Sequence, residues 1–325
     1  MITIDESQEP NENSGIFGLD VDYEQAQLVL IPVPWEGTVS YGTGTACGPS
    51  AILQASHQLD LFDLDFQRPY QAGICYDPCS YTWPYLASKD KVSINLASER
   101  VHELVYRRAK KILDEDRFAA VIGGEHSVSY GILKALSEKY ENFGILHIDA
   151  HHDLREAYQG YKYSHASIMY NVMMDFPSVN KLISVGIRDF CEAEYEFAKA
   201  QKSRIYTLYD QKMFEFLSEG RSYTDIVQET VKLLPKQVYI SFDIDGLDPS
   251  LCSGTGTPVP GGLSFHQAIS LILEVVRSGR RIIGFDLCEV APSDSSGEWN
   301  ENVGARILYK LCGALVESNG LVGKA

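Results

Sequence analysis

Short apolar runs rich in β-branched residues recur along the chain: AQLVLIPVP (26–34), FAAVIGG (118–124), FGILHID (143–149), KLISVGI (181–187), SRIYTL (203–208), QVYISFDID (237–245) and RRIIGFDLCEV (280–290). Between them lie stretches with helical spacing of apolar positions, such as SVSYGILKALSEKY, EAEYEFAKAQKS, YTDIVQETVKLLP and SFHQAISLILEVVRSG. This alternation predicts βαβ crossovers and a mostly parallel sheet. Ser127, Thr224 and Ser264 stand where helix N-caps are expected, because their side-chain oxygens can satisfy free N–H groups of a first turn. No linker-like break interrupts the units from about residue 26 to 318, so the pattern predicts one α/β domain over 16–325. Its fold class is a three-layer, doubly wound, mostly parallel sheet with helices on both faces. The polar, acidic start MITIDESQEPNENSG is expected to be a flexible N-terminal tail over 1–15.

Composition narrows the function classes. With 45% apolar and 22% charged residues among 325, the chain has the balance of a soluble globular protein. Its longest apolar runs are too short for a bilayer, and the N-terminus lacks the basic start and apolar middle of a secretory signal. The seven cysteines are scattered and odd in number, which predicts reduced thiols in a cytoplasmic setting. Cys75 and Cys79 have the spacing of half a zinc site, but no second pair completes it. A net charge of -16 opposes nucleic acid and anionic lipid as partners and attracts small cations instead. The Gly-rich run EGTVSYGTGTACGPSAI lacks the Gly-Lys-Ser/Thr ending of a phosphate loop.

The chemistry concentrates where strands end. If HIDAHHD (147–153) stays extended, His147, Asp149, His151 and Asp153 project to one face, because side chains alternate along a strand. Two other strand ends carry similar groups: Glu125 and His126 in VIGGEHS, Asp243 and Asp245 in YISFDIDGLDP. In open α/β sheets ligands bind beyond the carboxyl ends of the strands, so the three clusters are expected to share a crevice. Alone, an Asp-x-Asp at a strand end is usually a turn device and a His after Gly-Gly a loop residue. Carboxylates crowded on one face repel one another and raise one another's pKa unless cations sit between them, so four aspartates and two imidazoles converging on one crevice imply bound metal. Bridging carboxylates hold two divalent ions roughly 3.5 Å apart. Oxygen donors with some imidazole suit Mn2+ best, with Ni2+, Co2+ or iron following by affinity order. His152 is expected to point away, and His147 to support the ligands from behind.

The segments GGEHS (123–127), DAHHD (149–153) and SFDIDGLDPSLCSGTGTPVPGG (241–262) resemble the three signatures of the ureohydrolases, the arginase and agmatinase superfamily. The resemblance implies a single arginase-type domain, a binuclear manganese centre and assembly as a homotrimer or homohexamer. It implies that one ion is held by His126, Asp149, Asp153 and Asp243, the other by Asp149, His151, Asp243 and Asp245, with Asp149 and Asp243 as bridges. A metal-bridging hydroxide then attacks a guanidinium carbon, giving urea and an amine. His165, in YSHAS, is similar in position to the family histidine that carries a proton to the amine, and Glu289, in GFDLCEVAPS, to the glutamate that pairs with the guanidinium. Asp286 is read as a cap of its strand end.

The expected substrate is a small cationic guanidino compound. The loops LREAYQGYKYSHAS and SVGIRDFCEAEYEFAK look more like those of agmatinases than of arginases, which favours agmatine, with putrescine and urea as products. Two features pull the other way. PWEGTVSYGTGTACGPSAI (34–52) departs from the Arg-Pro-Gly-Ala-Arg type of run common in the family, and Arg155 near the mouth repels a dication unless Glu156 or another acid offsets it. Arg155 would instead bind a carboxylate-bearing substrate. The alternative is therefore an arginase, or a hydrolase of another guanidino acid or of guanidine. A mononuclear zinc deacetylase or a non-catalytic metal protein is disfavoured by the presence of both His126 and Asp245.

Overall fold

The computed structural model describes residues 2, 14–79, 81–84, 86, 90–293 and 297–322. Apart from Ile2, Ser14 and Gly15, the expected tail over 1–15 lies outside them. The strands are β1 (Leu28–Val33), β2 (Ile74–Tyr76), β3 (Phe118–Gly123), β4 (Phe143–Ile148), β5 (Val179–Ile187), β6 (Ile205–Tyr209), β7 (Gln237–Asp243) and β8 (Arg281–Cys288). They form one sheet in the order β2-β1-β3-β8-β7-β4-β5-β6, and every ladder is parallel. All seven apolar runs became strands. The eighth, β2, escaped the sequence reading because three residues at a sheet edge leave too short a pattern.

The helices are α1 (Gly48–Ser56), α2 (Lys91–Asp114), α3 (Tyr130–Lys139), α4 (Ile168–Asp175), α5 (Glu192–Ala200), α6 (Asp210–Ser218), α7 (Tyr223–Lys232), α8 (Phe265–Arg277) and α9 (Trp299–Ser318). Helix α2 packs on α3 and α3 on α4, while α1, α9, α8 and α7 pack in succession, giving the two layers that flank the sheet. The core is dense in aromatic side chains from the central strands: Phe143, Tyr239, Phe242 and Phe285 are fully buried. Truncating such a ring to Ala typically costs about 3–5 kcal/mol, because a cavity adds to the lost burial. Among the described residues no helix is long and apolar enough to cross a membrane.

Ser264 caps α8 as expected, accepting from Gln267 N in a reciprocal capping box. Two other cap assignments are corrected. Helix α7 is capped by Ser222, not Thr224. Ser127 lies inside a short 3-10 turn, His126–Ser129, and α3 begins only at Tyr130. The Ser127 hydroxyl donates to the Glu125 carboxylate at 2.5 Å, and its place inside the turn, ahead of α3, takes it away from the first turn of that helix.

The middle four strands, β3, β8, β7 and β4, are contiguous, and their carboxyl ends carry the titratable clusters. Two glycines let those ends approach closely. A Cβ on Gly124 would collide with the Trp35 carbonyl, and one on Gly246 would stand 2.8 Å from Asp149 N, so each brings a loop flush against a neighbouring strand end. The run 147–153 does not stay extended. Strand β4 stops at Ile148, Ala150 N turns to Asp245 Oδ1 and His151 N to Asp149 Oδ1, and Asp153 adopts φ 55°. Side-chain acceptors have taken over the backbone donors that a longer strand would pair.

Candidate metal centre and active site

At the end of β3, His126 Nδ1 lies 3.1 Å from Asp149 Oδ2, 3.1 Å from Asp153 Oδ2 and 3.4 Å from Asp243 Oδ2. It is buried and makes no well-directed hydrogen bond to any of them. Three carboxylate oxygens crowding one imidazole nitrogen without sharing its proton are placed as donors around a cation. A second group joins His151 Nδ1 to Asp245 Oδ2 at 3.1 Å and to Asp149 Oδ1 at 3.5 Å. Two sets of mutually close donor atoms result, His126–His147–Asp149–Asp153 and Asp149–His151–Asp245, with Asp149 common to both. The chain thus carries a binuclear metal-binding cluster. Its donors, oxygen with imidazole and no thiolate, fit hard or borderline divalent cations. Asp243 stands at the edge of the first set, its Oδ1 accepting from Asp245 N at 2.9 Å.

The electrostatics say the same. Burial, then the charges of Asp245 and Asp149, push the Asp243 carboxyl well above the usual carboxylate range. Burial and Asp149 likewise raise Asp153 to about 6. For Asp149 burial also opposes ionisation, but the neighbouring His147, His126 and His151 outweigh it and hold the group far below its ordinary value. Protons and imidazolium charge thus do in the protein alone what dications would do in their place.

Behind the donors, Asp286 and Ser241 decide which nitrogen of His126 faces them. Asp286 lies within β8 and is not a strand-end cap: it accepts from Ser241 Oγ at 2.9 Å and from Phe242 N at 3.3 Å. Ser241 has spent its proton on that carboxylate, so at 2.8 Å it accepts from His126 Nε2. Nδ1 is thereby the nitrogen directed at the carboxylates and available to a cation once it gives up its proton. His147 joins the cluster directly, its Nε2 2.8 Å from Asp149 Oδ2 and its Nδ1 3.2 Å from Ser184 Oγ. His152 turns away as expected and meets the Tyr209 hydroxyl at 3.3 Å. Thr257, from the loop after β7, donates to Asp245 Oδ2 at 3.3 Å.

A cleft of about 100 Å³ opens over the cluster, lined among others by His151, Asp153, Arg155, His165, Asp189 and Glu194. Burial, then the charge of His151, lowers His165 to about 4, so it stands neutral at pH 7. Its Nδ1 is 3.1 Å from Thr38 Oγ1 and its Nε2 3.3 Å from Ser40 Oγ. Glu289 has φ 65° and is buried; Oε1 accepts from His126 N at 2.9 Å, while Oε2 has no partner among the described residues. A buried carboxylate oxygen without a donor is a place for a ligand cation. Arg155 stacks over Tyr158 and lies 3.5 Å from Glu194 Oε2. Glu194, rather than the exposed Glu156, supplies the offsetting charge. That carboxylate is itself anchored by Leu154 N and Cys191 N.

Known proteins are similar to this chain over most of its length. The chain is 34% identical over 303 residues to N(1)-aminopropylagmatine ureohydrolase of Thermus thermophilus, covering 92% of this chain and 94% of that protein. It is 31% identical over 274 residues to an agmatinase of Bacillus cereus, covering 83% and 85%. The crystal structure of agmatine ureohydrolase of Thermoplasma volcanium superposes with a TM-score of 0.75 at 25% identity, over 92% of this chain and 93% of that one. The model of the arginase family matches residues 26–313, a span that runs from β1 through most of α9 and takes in every donor of the cluster. With fold and sequence agreeing over that length, the chain belongs to the arginase family and is a hydrolase of the ureohydrolase type.

Proposed function

We propose that the protein hydrolyses agmatine to putrescine and urea with two Mn2+ per subunit. In this reading His126, Asp149, Asp153 and Asp243 hold one ion, and Asp149, His151, Asp243 and Asp245 the other. When bound, the ion pair lowers the pKa of water toward neutrality and so supplies a nucleophile for the guanidinium carbon. Glu289 presents its free Oε2 to the guanidinium, whose planar N–H fork matches a carboxylate. His165, neutral at Nε2, carries a proton to the departing nitrogen, which is a poor leaving group until protonated. Asp286 and Ser241 keep the His126 ring in register for the metal. We further propose that residues 16–325 act as one domain, that the assembly is a homotrimer or homohexamer, and that the protein works in the cytoplasm.

The observation that carries the reading is Asp149 shared by two donor sets, with the Oε2 of Glu289 left without a partner among the described residues. The amine end of agmatine is favoured over a carboxylate because Arg155 already faces Glu194, and Asp189 adds a second acid to the cleft wall. Relatives named for agmatine and aminopropylagmatine support an amine-bearing tail. Arginine or another guanidino acid is the second reading, favoured by the third of the Arg155 side chain that remains exposed. A urea-release screen of the manganese-loaded protein against agmatine, N(1)-aminopropylagmatine, arginine, guanidinobutyrate and guanidine decides between them. Agmatine should give the highest kcat/KM; preference for arginine or guanidinobutyrate would select the second reading.

A further inference from the structure

The atypical segment PWEGTVSYGTGTACGPSAI has no part in the chemistry so far, yet its Thr38 sits at the centre of a buried hydrogen-bonded chain. Glu125 is fully buried at the end of β3, beside His126. Gly37 N and Thr38 N donate to its Oε2 at 2.9 and 2.6 Å, while Thr38 Oγ1 and Ser127 Oγ reach its Oε1 at 2.9 and 2.5 Å. Four donors fill the four lone-pair positions of a carboxylate, and the chain at 37–38 is wrapped around it. Thr38 Oγ1 has two further neighbours, both on one residue: His165 N at 3.0 Å and His165 Nδ1 at 3.1 Å.

A hydroxyl has one proton and two lone pairs. With the proton directed to Glu125 Oε1 and one lone pair taken by His165 N–H, the remaining lone pair faces Nδ1. The other oxygen near Nδ1, Ser164 Oγ, is 3.5 Å away, beyond the usual N–H···O range, and already accepts from Ala166 N. We infer that Thr38 is a positioning residue: its hydroxyl, anchored by Glu125, accepts the Nδ1 proton of His165 and so leaves Nε2 unprotonated on the cleft side. The inference rests on the proposed role of His165 in guanidino hydrolysis. In that step Nε2 takes one proton from the attacking water and releases one to the departing amine nitrogen. The ring ends as it began, and Nδ1 keeps its proton throughout. The same strand end that carries His126 thereby sets the orientation of the proton carrier, which ties two halves of the reaction to one rigid element.

Two measurements test this. In the manganese-loaded full chain, Thr38→Val, which keeps the shape but removes the hydroxyl, should lower kcat for urea release by about tenfold or more, with KM changed by less than about threefold. Thr38→Ser should restore kcat to within about threefold. Nitrogen-15 NMR of the metal-free full chain labelled at histidine, with His165 assigned by its loss in His165→Gln, should show Nδ1 protonated and Nε2 bare. Thr38→Val should mix the two tautomers. An Nε2-protonated ring in the wild type, or an unchanged kcat in Thr38→Val, overturns the inference. If Thr38→Val does not fold, the wild-type tautomer and Thr38→Ser still decide it. If no guanidino compound is hydrolysed, the functional reading fails while the tautomer measurement continues to judge this one.

Discussion

Asp149 and Arg155 stand only a few residues apart on one segment, yet they belong to differently built regions. Asp149 is 1% exposed, bonded by His151 N and flanked by three imidazoles, on a floor assembled from four adjacent strand ends. Arg155 lies on the rim, a third exposed, and is held by one aromatic ring and one carboxylate. On the floor the donors crowd within a few ångströms of one another, so a single change propagates; on the rim the contacts are fewer and more independent. The floor therefore fixes the chemistry that the family shares. The rim, free to vary without unseating the cations, selects the tail of the substrate.

The sharpest break is at the floor. Asp149→Asn removes a residue common to both donor sets, and urea release should fall by more than about a thousandfold as metal is lost. Retention of near-wild-type activity in that variant would contradict the shared-ligand reading. Next comes His165→Ala, where turnover should drop by about a hundredfold with both ions still bound, measured as kcat alongside metal content. Loss of metal in that variant would move His165 from the rim of the comparison to its floor.

A smaller effect concerns pH. In the metal-free chain Asp153 titrates at about 6, and Asp243 is raised as well. A carboxyl whose folded pKa lies above its unfolded value stabilises the fold at low pH, and that contribution is lost as pH rises through the folded pKa. The opposite, depressed Asp149 changes its contribution only below its unfolded pKa of about 4. Between pH 4 and 6 these two carboxyls therefore contribute less to the metal-free fold as pH rises, while bound metal, which competes with protons for them, gains. The rise in Tm on adding Mn2+ should be larger at pH 7.5 than at pH 5; an equal rise at both would show that the acids are not crowded as described. The smallest effect belongs to the rim. Arg155→Ala should change kcat/KM for agmatine by less than about threefold, and a selective loss with guanidino acids would favour the second substrate reading.

Local pattern carried the floor into the sequence. Strands β1, β3, β4, β5, β6, β7 and β8 were readable because buried parallel strands leave continuous apolar runs, and the acids at their ends stood out against that background. What escaped has no local period. Asp286 reaches Ser241 across 45 positions, and Thr38 meets His165 across 127. Glu194 meets Leu154 across 40. Such pairs are set by the order of strands in the sheet, which the alternation of elements does not specify. The misassigned caps at Ser127 and Thr224 have a local cause: a 3-10 turn delays the start of α3 to Tyr130, and the earlier Ser222 caps α7.

The central claim is that buried acids from separate strand ends are reconciled by two dications sharing Asp149. Native mass spectrometry of the protein refolded with excess Mn2+, then desalted, measures this directly. Two tightly held ions per chain in the wild type, and fewer in Asp149→Asn, are predicted; a wild-type chain that holds one ion or none would contradict it.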